Sequence, residues 1–173
     1  MVPSTYSASN SKIEPLSMIN QAQGLAIDVK NLCKKFGNKV AVDNVSIAQP
    51  AGSVWGFLGP NGSGKTTTIR MLCGLLEPTS GEGSCLGFDV VKQSREIKNL
   101  TGYMTQKFSF WEDLTIKENL DFVARLYELP NRKQIVEKTL AELGLEKRQN
   151  QLAGSLSGGW KQRLSLAAVT MHE

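Results

Sequence analysis

Residues 54 to 74 read VWGFLGPNGSGKTTTIRMLCG, an apolar run, a glycine-rich loop and a segment of helical pattern in immediate succession. Val54 to Leu58 is continuously apolar, as expected of a strand buried on both faces. Beyond Gly64, Ile69, Leu72 and Cys73 fall at helical spacing, and Gly74 is placed to stop the helix. Between strand and helix, Gly59 to Thr66 fits GxxxxGK[ST], the pattern of a phosphate-binding loop. Glycines at 59, 62 and 64 reach dihedrals closed to other residues, so successive backbone amides can turn inward around an anion. The helix that follows points its positive end at the same place. Lys65 would reach the outer phosphates as a point charge, and the Thr66 hydroxyl would ligate the magnesium that bridges them. The candidate phosphate-binding set is Gly59, Pro60, Asn61, Gly62, Ser63, Gly64, Lys65, Thr66 and Thr67. The plainer alternative is a glycine-rich turn; the order strand, loop, helix favours the phosphate loop. By itself the loop leaves kinases, GTPases and ATPases open.

The rest of the composition narrows the setting. With 173 residues, 40% of them apolar and 21% charged, the chain has the make-up of a globular protein of one domain or slightly more. The net charge of +4 is scattered, without a basic stripe, so no nucleic-acid partner is expected. Three cysteines, Cys33, Cys73 and Cys85, form no CxxC pair, which suggests free thiols in a reducing compartment rather than a disulfide framework or a zinc site. No apolar run approaches the length of a membrane span. Residues 1–24, rich in Ser, Asn and Gln, read as a mobile tail or linker.

Ahead of the loop, the alternation of Leu25, Ile27 and Val29 predicts a half-buried strand. A turn at Gly37 and Asn38 leads to a second strand near Val45 to Ala48. Behind the loop, short strands are expected at Ser84 to Gly87 and Leu100 to Met104. The pattern then turns helical. Ile116, Leu120, Val123, Ala124 and Tyr127 share one helix face, and Thr115 with Glu118 forms a capping box. After Pro130 a second helix carries Ile135, Val136, Leu140 and Leu143 and ends at Gly144. The boundaries read as a core over 25–106, a helical subdomain over 107–155, and a last motif with its helix over 156–173.

That last motif is LSGGW, Leu156, Ser157, Gly158, Gly159 and Trp160, followed by KQRLSLAAV. Trp160, Leu164, Ala167, Ala168 and Met171 make an amphipathic helix whose start follows two glycines. The Ser157 hydroxyl, the amides of Gly158 and Gly159 and a helix N-terminus together suit an anion. Alone, such a motif is equally a serine-glycine loop capping a helix.

In order along the chain stand KKFGNKVAVDNVS, GPNGSGKTTT, GLLEPTSGE, GYMTQ and LSGGWKQR, with Lys65 41 residues before Gln106 and 92 before Ser157. This series resembles the ATP-binding subunit of ABC transporters from about Leu25 to the last residue, and YMTQKFSFWEDLTIKENLDFVARLYELP looks most like the bacterial multidrug-export branch. The resemblance implies an α/β fold, a P-loop NTPase of the ABC-ATPase type with a helical subdomain. It implies ATP and Mg2+ as ligands, with Gln106 near the magnesium and the attacking water. Phe36 falls where the family stacks an aromatic on adenine, with Val42 beside it; core packing is the other reading of Phe36. Phe108, Phe110 and Trp111 either line the groove that receives the membrane partner or pack locally. The partners implied are a second copy of an ABC ATPase domain in a head-to-tail dimer and an integral membrane transporter subunit. The chain would then lie in the cytoplasm, peripheral on the inner face of the cell membrane, and work as an ATPase that powers export.

Two departures stand out. Trp160 replaces the glutamine that ends the family's signature, and an indole donates one hydrogen bond and accepts none. The sequence also ends at Glu173, ahead of the apolar strand that in the family ends in Asp and Glu. No general base is found among residues 1–173, so this chain by itself is expected to bind nucleotide at most, and the strand entering the glycine loop is expected to have an open apolar edge. His172 precedes that strand and reads as a surface residue at a helix end. The rival to transport is an ABC-type ATPase acting on a soluble target such as a ribosome or DNA.

Overall fold

The computed structural model describes residues 24–105 and 109–172; the tail reading for the preceding residues, Gln106 and Phe108 lie outside them. Two long strands, β1 (Leu25–Phe36) and β2 (Lys39–Pro50), form an antiparallel hairpin closed by a turn with Gly37 at φ 56°. Both run beyond the short strands expected, because cross-strand pairing from Leu25↔Pro50 to Phe36↔Lys39 carries polar residues that no apolar alternation marks. The other edge of β1 receives β3 (Ser80–Cys85), and β4 (Phe88–Asp89) follows, giving the antiparallel order β2-β1-β3-β4.

Two expected strands do not form. Val54 to Leu58 pairs with no strand among the described residues, and Val54 and Leu58 are 101% and 95% exposed. The physical reason lies in what a buried strand requires: ladder partners at its edges and cover on both faces. Nothing among the described residues supplies either, so the apolar run is an exposed lead into the loop. Likewise 101–105 joins no sheet; it runs close to α5 (Gly158–Thr170), where a side chain at Gly102 would overlap the carbonyl of Val169. Leu100, expected to open that strand, instead closes a short helix, α2 (Ser94–Leu100).

The apolar residues gather in two groups. Val29, Leu32, Val42, Met71, Cys85 and Ile97 pack the sheet against α1 (Lys65–Leu72) and α2. The second group joins α3 (Ile116–Leu126), α4 (Arg132–Leu143) and α5 through Ile116, Leu120, Val136, Leu140, Leu145 and Leu164. Each fully buried leucine or isoleucine here contributes roughly 1.5–3 kcal/mol by leaving water. The three cysteines are unpaired; burial pushes the Cys85 thiol up to about 11, and the nearby Cys73 adds to the shift.

The Thr115–Glu118 capping box is present in both directions: Glu118 N donates to Thr115 Oγ1 at 3.2 Å, and Thr115 N donates to Glu118 Oε2 at 2.8 Å. The backbone amide and hydroxyl of Thr115 hold the Glu118 carboxyl below its usual range. Burial pushes Asp121 upward, but hydrogen bonds from Arg132 and Arg125 outweigh it and hold that carboxyl low as well. A carboxylate with a folded pKa below its unfolded value stabilises the fold above the unfolded value, about 4, and loses that stabilisation as pH falls through the folded one. The thermal midpoint is therefore expected to fall below about pH 4, and Glu118→Gln should flatten the slope there. Equal slopes for the two proteins would assign the acid sensitivity elsewhere.

Candidate functional site: a glycine loop and an uncapped helix start

The glycine loop has the backbone that its sequence requires. Gly59, Gly62 and Gly64 lie at φ 154°, 83° and 86°, and Ser63 N donates to Pro60 O at 3.3 Å. Gly64 is the N-cap of α1, with no side chain closing the cap, so the first amides of α1 remain for a ligand. A side chain at Gly64 is excluded twice, by its dihedral and by Ala41, whose carbonyl oxygen a Cβ would overlap. That close approach seats the loop on β2. Lys65 Nζ donates to Gly59 O at 2.6 Å and to Pro60 O at 2.7 Å, so the ammonium sits over the loop. Pro60, Asn61, Gly62, Ser63 and Thr66 are exposed, and Thr67 is half-buried.

Thr66 opens onto a cleft of about 600 Å3 between α1 and the segment 102–105. Arg70 Nε donates to the Tyr103 hydroxyl across it at 3.3 Å. The segment ends at Thr105, so the chain just before Gln106 shares this cleft with Thr66. Its lining holds Arg70 and no carboxylate among the described residues. No cluster of three or more acidic, histidine or cysteine side chains that could cage a metal occurs among those residues. A magnesium ion held through phosphate oxygens needs few protein ligands, and Thr66 fits that requirement.

Phe36 is 52% exposed at the hairpin end, with Lys34 Nζ 5.3 Å from its ring centroid, so core packing does not account for it. Val42 is buried in the first core beneath Gly64 and offers no open surface.

Ser157, Gly158 and Gly159 are exposed at the start of α5, Leu156 is buried, and Trp160 packs on the second core. The glycines belong to the first helical turn rather than preceding it. Ser157 is the N-cap with extended dihedrals, yet its side chain makes no cap hydrogen bond. None of these five residues lines the cleft beside Thr66.

Several contributors carry no sequence signal of their own. Asn119 is fully buried on α3: its Oδ1 accepts from Trp111 N at 3.1 Å, and its Nδ2 donates to the carbonyls of Trp111, Leu114 and Thr115. This pins the turn that presents Trp111, whose ring meets Phe122 edge-on at 4.3 Å. An asparagine one position from the apolar stripe was the available hint. His172 is not the surface residue expected: it stacks on Tyr127 at 4.7 Å with its Nδ1 buried, because the end of α5 packs on the end of α3. Arg148 and Arg163 flank Trp160, the second of them visible only as an i+3 neighbour.

A mixed helix-and-sheet fold with a glycine loop capping α1 and a second exposed, uncapped helix start at Ser157–Gly159 defines a phosphate-loop protein of the ATP-binding-cassette class. The family description "ABC transporter" matches residues 42–173, and the chain belongs to that family. It is 43% identical over 149 residues to the probable multidrug ABC transporter ATP-binding protein YbhF of Escherichia coli (strain K12), covering 85% of this chain and 26% of that protein. It is 38% identical over 146 residues to the bacitracin transport ATP-binding protein BcrA of Bacillus licheniformis, covering 84% of this chain and 47% of that one. The chain thus spans about a quarter and about half of these two relatives. Its fold is similar to a dimeric ATP-binding cassette solved in a post-hydrolysis state with ADP and Pi. There the TM-score is 0.70 and the identity 25%, over 84% of this chain and 69% of the other. Among the described residues no helix is long and apolar enough to cross a membrane.

Proposed function

We propose that this chain is part of the ATP-binding component of an export-type ABC transporter, and that it binds MgATP at Gly59–Thr67. The observation that carries this reading is the loop itself: three glycines at positive φ, a helix start without a side-chain cap, and Lys65 Nζ poised over the loop. The names of the relatives, multidrug and bacitracin transport, support the export direction.

On this reading the loop amides and Lys65 bind the phosphates, Thr66 holds the magnesium together with them, and Gln106 acts close by. The bound magnesium neutralises phosphate charge and orients the terminal phosphoryl group. Phe36 offers its exposed ring to the adenine, whereas buried Val42 supports Gly64 from below. Because Ser157 to Gly159 do not line the cleft of their own chain, they serve the nucleotide of a second cassette, in a head-to-tail pair with two-fold symmetry. ATP then closes the pair and its hydrolysis releases it, which drives an integral membrane subunit from the cytoplasmic face. The exposed Trp111, in the turn before α3, and Phe122, on α3, form the docking surface for that subunit. With no carboxylate among the described lining of the cleft, the 173-residue chain binds nucleotide without sustained turnover.

The full-length protein, extracted in mild detergent, is expected to copurify with an integral membrane subunit and to hydrolyse ATP with it. Recovery with ribosomes or DNA instead would overturn the transport assignment. Sustained turnover by the 173-residue chain, abolished by Lys65→Ala, would overturn the statement about the chain alone.

A further inference from the structure

The start of α5 lacks the usual supports of a helix N-terminus. Its first two residues are Gly158 and Gly159, the poorest helix formers after proline. The Ser157 hydroxyl makes no cap hydrogen bond, and no acidic residue stands in the first turn. All three residues are exposed, so packing does not hold them either. What the turn has instead is Trp160. Its ring packs on the core shared by α3, α4 and α5, with the Arg148 guanidinium 5.7 Å and the Arg163 guanidinium 5.2 Å from its centroid. Both distances are within cation–π range.

The two arginines come from different places. Arg163 lies one turn further along α5, whereas Arg148 ends the 3-10 turn Glu146–Arg148. Arg148 Nε also donates to Gln151 Oε1 at 2.7 Å, Gln151 Nε2 donates to Ser155 Oγ at 2.8 Å, and Ser155 Oγ donates to Leu152 O at 2.7 Å. This chain of bonds ends in the short turn Ala153–Ser155 immediately before Leu156. The indole therefore ties the first turn of α5 to the loop that delivers it. Lys161 Nζ adds a contact to Glu112 Oε1 at 2.6 Å from the same turn.

We propose that Trp160 is a positioning residue: gripped by Arg148 and Arg163, it holds the uncapped Gly158–Gly159 turn rigid, so that the Ser157 hydroxyl and the two amides stay aimed at a phosphate carried by a second cassette. The proposal rests on the reading of Ser157 to Gly159 as a contact across a dimer. It assigns a purpose to the absent cap, since a hydroxyl spent on its own helix would not be available to a ligand. It also predicts that the side chain at 160 is needed for its aromatic face and not for a hydrogen bond.

The test is ATP-driven association of the full-length protein, followed by light scattering, beside ATP binding to the dissociated protein, followed by equilibrium dialysis. Trp160→Leu, which keeps bulk and removes the aromatic face, is expected to raise the ATP concentration at half-association roughly tenfold, with binding to the dissociated protein unchanged within about twofold. Trp160→Phe should restore most of the loss and Trp160→Gln should not. Arg148→Met, a change outside α5, should weaken association by about threefold and guards against a mere folding defect. Wild-type association by Trp160→Leu, or rescue by Gln as complete as by Phe, overturns the positioning role. Ser157→Ala separates the two layers: unchanged association in that variant overturns the dimer reading itself, whereas its loss beside an unaffected Trp160→Leu overturns only the proposal for Trp160.

Discussion

Lys65→Ala is expected to weaken ATP binding by roughly 100-fold while leaving the fold intact. The ammonium lies over the loop, 2.6 and 2.7 Å from the carbonyl oxygens of Gly59 and Pro60, and a phosphate oxygen entering the loop meets it directly. Charge-assisted hydrogen bonds contribute about 1.5–3 kcal/mol each, so losing one strong bond matches the expected factor. The cost to stability is small, because both carbonyls face water and exchange the lysine for solvent. Calorimetric titration with ATP should therefore show the affinity loss beside a thermal midpoint shifted by no more than a few degrees. Lys65→Arg should recover only part of it, since a planar guanidinium does not replace a compact ammonium inside a narrow loop. Unchanged affinity in a folded Lys65→Ala protein would remove the phosphate assignment.

Gly64→Ala is expected to damage both stability and binding, and more severely than the same change at Gly62. The two glycines share nearly the same dihedral, φ 86° and 83°, for which an alanine costs about 1–2 kcal/mol. At Gly62 nothing stands within 4 Å of the added methyl group. At Gly64 that group overlaps the Ala41 carbonyl and comes within 3.1 Å of Val42 Cγ2. The strain can be relieved only by moving α1 away from β2, which opens the first core. A total loss of roughly 2–4 kcal/mol is expected for Gly64→Ala. Urea unfolding of the two variants in parallel measures the difference, and equal losses would show that dihedral strain alone governs the loop.

What the residues revealed and what they concealed divides along physical lines. Features that depend on near neighbours in the chain were legible: the turn at Gly37, the start of α1 in the glycine loop, the Thr115–Glu118 box and the end of α4 at Gly144. Features that depend on distant partners were not. An apolar run such as Val54 to Leu58 becomes a strand only where a ladder is offered to it, and 101–105 shows the same dependence. The helix α2 escaped because seven residues with the single buried Ile97 carry no period. At the site, the glycine loop announced itself by spacing. Asn119 and Arg148 act through contacts that only the folded chain brings together, one inside α3 against a preceding turn and one across twelve residues to Trp160.

The β1–β2 hairpin has a further consequence on the proposed reading. Phe36 closes the ribbon where it pairs with Lys39, and two pairs along, Val42 faces Lys34 directly beneath Gly64. Ring and phosphate loop are thus fastened to one hydrogen-bonded ladder, which acts as a ruler with the base at one mark and the phosphates at another. A slip of a single residue in the pairing would shift both marks and turn every side chain to the opposite face. On that reading the hairpin would gauge the length of the nucleotide with a piece of sheet.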